Sequence, residues 1–120
     1  MDYIQLPFSP DHPCQTVYLP VSPDGNAFMA RIDLRYLPAP GRWFLSISDA
    51  YSGEQYVNQI PLICSWETLT DLLEPFRWRF QGAGLGSLFC LKAVDKPASP
   101  DPSRSNLNEF ILLWGDRWRT

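Results

Sequence analysis

Phe28-Met29-Ala30-Arg31-Ile32-Asp33-Leu34-Arg35-Tyr36 sets apolar residues against charged ones with a period of two. Phe28, Ala30, Ile32, Leu34 and Tyr36 fall on one face, and Arg31, Asp33 and Arg35 on the other. Successive side chains of a strand point to opposite faces of its sheet, so this split predicts a strand buried on one side. Pro38-Ala39-Pro40-Gly41 closes the run, and another starts at once, with Trp43, Leu45 and Ile47 alternating with Phe44, Ser46 and Ser48 up to Asp49. Tyr51-Ser52-Gly53-Glu54 turns the chain and Gln55 to Ile60 returns. The three runs predict an antiparallel meander.

Upstream of the meander, Tyr3 to Phe8 reads as a short strand, followed by a turn at Ser9-Pro10-Asp11-His12-Pro13. Gln15 to Val21 is a further run. Pro20 removes a backbone donor from it and suits an edge. Ser22-Pro23-Asp24-Gly25-Asn26 is a turn in which Gly25 is free to take positive φ. Downstream, Ser65 to Glu74 predicts one short helix. Ser65 serves as its N-cap, Glu67 favours the positive end of the dipole, and Leu69, Leu72 and Leu73 recur at helical spacing before Pro75 stops it. Phe76-Arg77-Trp78-Arg79-Phe80 alternates aromatic and basic residues, and the segment from Gln81 to Gly86 is a glycine-rich loop. Ser87 to Val94 predicts a strand, 96–106 a long polar loop with the composition of a mobile segment, Leu107 to Trp114 the last strand, and 115–120 a tail.

The 120 residues suit one domain with one core, 1–120, which includes an N-terminal arm at about 1–13. The 12 prolines stand at about twice the usual frequency of roughly 5%, which favours short strands and turns over helices. The expected class is therefore all-β: a small, mainly antiparallel β-barrel, OB-like or similar, closed or nearly closed, with the helix near 65–74 as its one helical element. The formal charge of −3 provides no general field for a phosphate backbone and argues against nucleic acid as the partner. No apolar run approaches the roughly 20 residues of a membrane span, so a membrane is not expected as a partner. Met1-Asp2-Tyr3-Ile4-Gln5 lacks the basic-then-apolar pattern of a signal peptide, so the chain is expected to be made and kept in a cytoplasm, or exported by something other than its own address.

Catalytic chemistry finds no constellation in the sequence. His12, the one histidine, lies between turn residues with no nucleophile setting beside it. Cys14, Cys64 and Cys90 are too widely spaced for a zinc ribbon or a disulfide framework. Cys64 and Cys90 sit in apolar runs as small hydrophobes. Gly82-x-Gly84-x-Gly86 lacks the lysine and hydroxyl of a phosphate loop and precedes a strand, so it reads as a hairpin or bulge loop. No catalytic residue, cofactor or metal is expected. Arg77, Trp78 and Arg79 could stack bases and hold phosphate on single-stranded nucleic acid, or simply form a strand with its arginines turned to a partner's carboxylates. Arg117, Trp118 and Arg119 lie in a tail too short for a core of its own and read as an interface anchor, the alternative being a tail folded back onto the barrel.

Several of these segments resemble one family. Leu34-Arg35-Tyr36, Trp43-Phe44-Leu45-Ser46-Ile47-Ser48-Asp49, Gly53, Pro61-Leu62, Leu72-Leu73, Leu85-Gly86-Ser87-Leu88 and Leu107-Asn108-Glu109-Phe110-Ile111-Leu112-Leu113-Trp114 are similar to the baseplate plug proteins of contractile-tailed phages, cyanophages among them. The resemblance spans about residues 28 to 115 and implies a non-enzymatic β-barrel subunit near a tail axis, between tube, hub and spike. It would form part of the virion after assembly in the host cytoplasm. Its expected partners are further copies of itself, in a threefold or sixfold cyclic oligomer, and other baseplate, tube or spike proteins. The two ends lie outside the resemblance. Tyr3, Ile4 and Phe8 at one end, and Arg117, Trp118 and Arg119 at the other, are the expected interface arms, alongside Arg77, Trp78 and Arg79.

Overall fold

The computed structural model describes residues 2–66, 68–76 and 84–118. Eight strands occur among them: β1 (Ile4–Gln5), β2 (Cys14–Val21), β3 (Phe28–Leu37), β4 (Arg42–Asp49), β5 (Gln55–Pro61), β6 (Cys64–Ser65), β7 (Ser87–Lys92) and β8 (Phe110–Gly115). They form two four-stranded sheets, ordered β2-β3-β4-β5 and β1-β8-β7-β6. The all-β class is as the sequence predicts. A single closed barrel is not, since among the described residues each sheet keeps its own edges.

The larger sheet is the predicted meander extended by β2. Ile32 pairs with Val17 on one side and Ile47 on the other, and Leu34 pairs with Leu45. Ala30, Ile32, Leu34, Trp43, Leu45 and Ile47 are fully buried, while Arg31 and Arg35 are exposed on the opposite face. Asp33 accepts hydrogen bonds there from the Thr16 hydroxyl (2.5 Å) and lies 3.3 Å from Arg31. On the far edge, register shifts interrupt the β4–β5 ladder. The Ser46 hydroxyl accepts the N–H of Gln59, a residue held at φ 52°.

The smaller sheet draws on both ends of the chain. Ile4 pairs with Trp114 and Gln5 with Leu113, and the ladder continues as Leu6 donates its N–H to Leu112 O (2.9 Å). Only the centre of the predicted Tyr3–Phe8 strand is strand. Leu6 is buried and Phe8 packs against the core. Leu88, Cys90, Leu112 and Trp114 point inward and join the larger sheet's apolar face in one cluster. Phe28 of β3 meets Trp114 of β8 edge-on at 6.2 Å, which ties the two sheets together. Burial pushes the thiols of Cys64 and Cys90 above their ordinary value, and Cys14 alone is exposed.

One further expectation needs correction. The helix at 65–74 does not form; no helix of 7 or more residues occurs among the described residues. Cys64 and Ser65 instead pair in parallel with Cys90 and Leu91 of β7. The Ser65 hydroxyl accepts the N–H of Thr70 (2.8 Å), and Leu72 donates its N–H to Leu88 O (2.9 Å). Asp71 accepts from the N–H groups of Leu73 and Leu88 and from the Ser87 hydroxyl. The Leu72 donor is thus bonded across to β7, while those of Thr70 and Leu73 go to the side chains of Ser65 and Asp71, and a helix of two or three turns has too little cooperativity to compete. One short 3-10 turn, Glu74–Phe76, remains. Leu73 reaches the core as predicted, but Leu69 is 51% exposed.

The polar loop at 96–106 makes hydrogen bonds to the body of the domain. Asn106, only 4% exposed, accepts from the Ser103 N–H and hydroxyl and donates to Ser99. Asp101 accepts from the Cys64 N–H (2.8 Å) and pairs with Arg42 (3.2 Å). Trp43 and Trp66 donate their indole N–H groups to the carbonyls of Ser103 and Pro100. A polar composition here satisfies the end of the core instead of freeing the loop. After it, Leu107–Glu109 is a 3-10 turn, so the last strand starts at Phe110.

Candidate protein-interaction surface

A β-sheet over a core is apolar on one face, but β7 and β8 are apolar on both. Phe89 and Leu91 of β7, with Leu113 of β8, point away from the core and floor a shallow groove of about 170 Å³ completed by Tyr3, Leu69 and Trp118. The Tyr3 and Phe89 rings lie 5.9 Å apart, and Phe89 and Trp118 meet edge-to-face at 6.4 Å. Phe89 is thereby buried, whereas Trp118 is 49% exposed. Trp66, also exposed, stacks beneath Lys92, whose ammonium lies 5.3 Å from the ring centroid.

The placement of Tyr3 and Trp118 is built into the backbone. Trp118 donates its N–H to the Ser87 hydroxyl (2.8 Å), which itself donates to Asp71 (2.7 Å). Arg117 donates its N–H to Asp24 (3.0 Å), and Asp24 donates its own to the Asp116 carboxylate (2.7 Å). The Tyr3 hydroxyl donates to Asp116 O (2.7 Å). Burial, with the charges of Asp71, Asp116 and Asp24 nearby, raises the Tyr3 phenol above its ordinary value. Two glycines permit the close approach. A Cβ on Gly115 would lie 2.7 Å from the Tyr3 ring, and one on Gly86 would lie 2.0 Å from Gly115 O.

Of the residues singled out from the sequence, Tyr3 and Trp118 meet on this one face. Ile4 and Phe8 are bound instead to the chain's own sheet and core. The arm is therefore docked as an edge strand at Ile4–Gln5, where it pairs with β8. Arg117 is exposed beside Trp118. Arg77, Trp78, Arg79 and Arg119 lie outside the described residues. Phe89, Leu91 and Leu113 were not singled out. Their signal was present in Leu88-Phe89-Cys90-Leu91 and Ile111-Leu112-Leu113-Trp114, runs without alternation that demand cover on both faces.

No group of three or more His, Cys, Asp or Glu residues could hold a metal ion among the described residues. A second cleft, between Gly41-Arg42 and 99–103, presents proline rings, main chain and the Arg42–Asp101 pair. No protein-family model and no curated protein matches the chain.

Proposed function

We propose that the chain is a structural subunit of a phage tail baseplate, a plug-like part near the tail axis that joins tube, hub and spike. The observation that carries this reading is the outer face of the small sheet. Tyr3 and Trp118, from opposite ends of the chain, lie with Phe89, Leu91 and Leu113 around an apolar groove, and an exposed apolar surface of this kind is characteristic of a docking site. Half-exposed tryptophan flanked by arginine is the composition of an interface anchor. The particular assembly comes from the resemblance over residues 28 to 115. On this reading the subunit forms a threefold or sixfold cyclic oligomer, with the groove turned to a neighbouring protein, and it resides in the virion.

Mass spectrometry of purified tailed particles tests the assignment: the chain should be present among the structural proteins. Its absence from the particles would remove the reading. Fluorescence anisotropy with single-stranded oligonucleotides tests the rival, for which only weak, salt-sensitive association is expected. Tight binding lost in Arg77→Ala and Trp78→Ala would put nucleic-acid binding in its place.

A further inference from the structure

Among the four sheet edges, β2 differs from the others. β1 and β6 are two residues long, and β5 is broken by register shifts. β2 runs for eight residues in unbroken register with β3. Proteins blunt edges with charge, bulges or proline, and Cys14-Gln15-Thr16-Val17-Tyr18-Leu19-Pro20-Val21 has no charged residue, no bulge and a proline only near its end. Among the described residues no strand lies beyond it.

The register says which backbone groups are open. Tyr36 donates its N–H to Pro13 O, which marks that pair, and every second pair after it, as hydrogen-bonded to β3. Gln15, Val17, Leu19 and Val21 therefore point their backbone groups inward. Cys14, Thr16 and Tyr18 point theirs outward, while Pro20 offers only a carbonyl. The same alternate residues carry the exposed side chains, with Tyr18 57% exposed.

We infer that the free chain closes this edge with β2 of a second copy, antiparallel and centred on Val17. In that register Thr16 of each copy faces Tyr18 of the other and exchanges both backbone bonds with it. The Cys14 N–H meets Pro20 O, so the missing proline donor falls at the ends of the ladder. Sliding by two residues to set Tyr18 against itself places Thr16 against Pro20 and forfeits the Thr16–Tyr18 exchange. A strand without charges meets its own copy with no like-charge opposition, and the two-fold closes the edge where a head-to-tail contact would leave one open. The half-buried Val17 and Leu19 gain further cover. A polar tail axis admits no such two-fold, so this pairing belongs to the free chain and stands or falls independently of the assembly reading.

Sedimentation velocity of the full chain over a concentration series should show a reversible dimer. Thr16→Pro removes an outward N–H without touching the β3 ladder and should shift the chain to monomer, with its far-UV circular dichroism retained. Should that variant fail to fold, Val17→Cys in a Cys14→Ser background provides the second arm. Directly opposed, non-hydrogen-bonded residues bring Cα atoms to about 4.5 Å, within the range a disulfide spans. Oxidised glutathione should then cross-link the dimer. A chain monomeric at every concentration, a dimer that folded Thr16→Pro leaves intact, or a dimer that does not cross-link at position 17 would overturn the inference.

Discussion

The two sheets share one core and treat their outer faces in opposite ways. The larger sheet turns Thr16, Arg31, Asp33 and Arg35 outward, where Asp33 accepts from the Thr16 hydroxyl and pairs with Arg31. The smaller sheet turns Phe89, Leu91 and Leu113 outward and covers them only in part with Tyr3 and Trp118. A polar outer face is finished when the chain folds. An apolar one gains further stabilisation from whatever covers it, at roughly 25 cal/mol per Å² of apolar surface removed from water. The outer face of the second sheet is therefore the one the proposed docking would cover.

The shared core is the premise most easily broken. Trp43 and Trp114 are both fully buried, one in each sheet, and each donates its indole N–H to a carbonyl 2.7 Å away. Truncating either to alanine should cost about 3–5 kcal/mol, the usual loss for a buried large aromatic. Denaturant unfolding followed by circular dichroism and fluorescence should remain one coincident transition in both variants. Separate transitions would mean that the sheets are not one cooperative unit.

A smaller loss is expected where the small sheet's backbone is tightest. Gly86→Ala places a methyl against Gly115 O at a residue held at φ +83°. It should cost on the order of 1–3 kcal/mol as an overpacking change. Gly25→Ala at the turn before β3 meets nothing within 4 Å, so only its φ of +84° opposes it, and it should cost less. Chemical denaturation midpoints of the pair would measure how far the small sheet depends on close approach.

The division between the sheets also explains what the sequence disclosed. In the larger sheet each strand borders its neighbour in sequence and one face is wet, so the period of two in Phe28–Tyr36 and Trp43–Ser48 carries the structure. In the smaller sheet the partners are distant, with Ile4 against Trp114 and Cys64 against Cys90. No local pattern reports such pairings. The helical spacing of Leu69, Leu72 and Leu73 misled for the same reason, because the backbone bonds that decide the segment go to Leu88 and through Asp71. Trp118 was singled out by composition alone, and it lies at the rim of the groove against Phe89. The groove floor was not, since runs apolar on both faces say that cover exists without saying what provides it.

A finer probe follows from Tyr3, whose phenol bonds to Asp116 O at the rim of the groove. Its folded value lies above the ordinary 10.0, so its contribution is complete below that value and is lost as pH rises through the higher folded one. Tyr3→Phe should cost about 0.5–1.5 kcal/mol at neutral pH, the net worth of one hydrogen bond. It should also flatten the alkaline decline in stability, leaving the parts due to Tyr56, Cys64 and Cys90, whose values burial also raises. Stability measured against pH for both proteins would show an unchanged alkaline decline if the ring were free.

The least effect on folding, and the largest on assembly, is expected at Trp118. Half exposed at the groove's rim, it should cost below about 1 kcal/mol of stability when changed to alanine. A three-dimensional reconstruction of the intact tail tip tests the central claim most directly. The account predicts this chain in a ring about the axis, with Tyr3, Phe89, Leu113 and Trp118 covered by a neighbouring protein. Particles in which the chain is missing, lies as a single copy off the axis, or leaves that face open to solvent would contradict it.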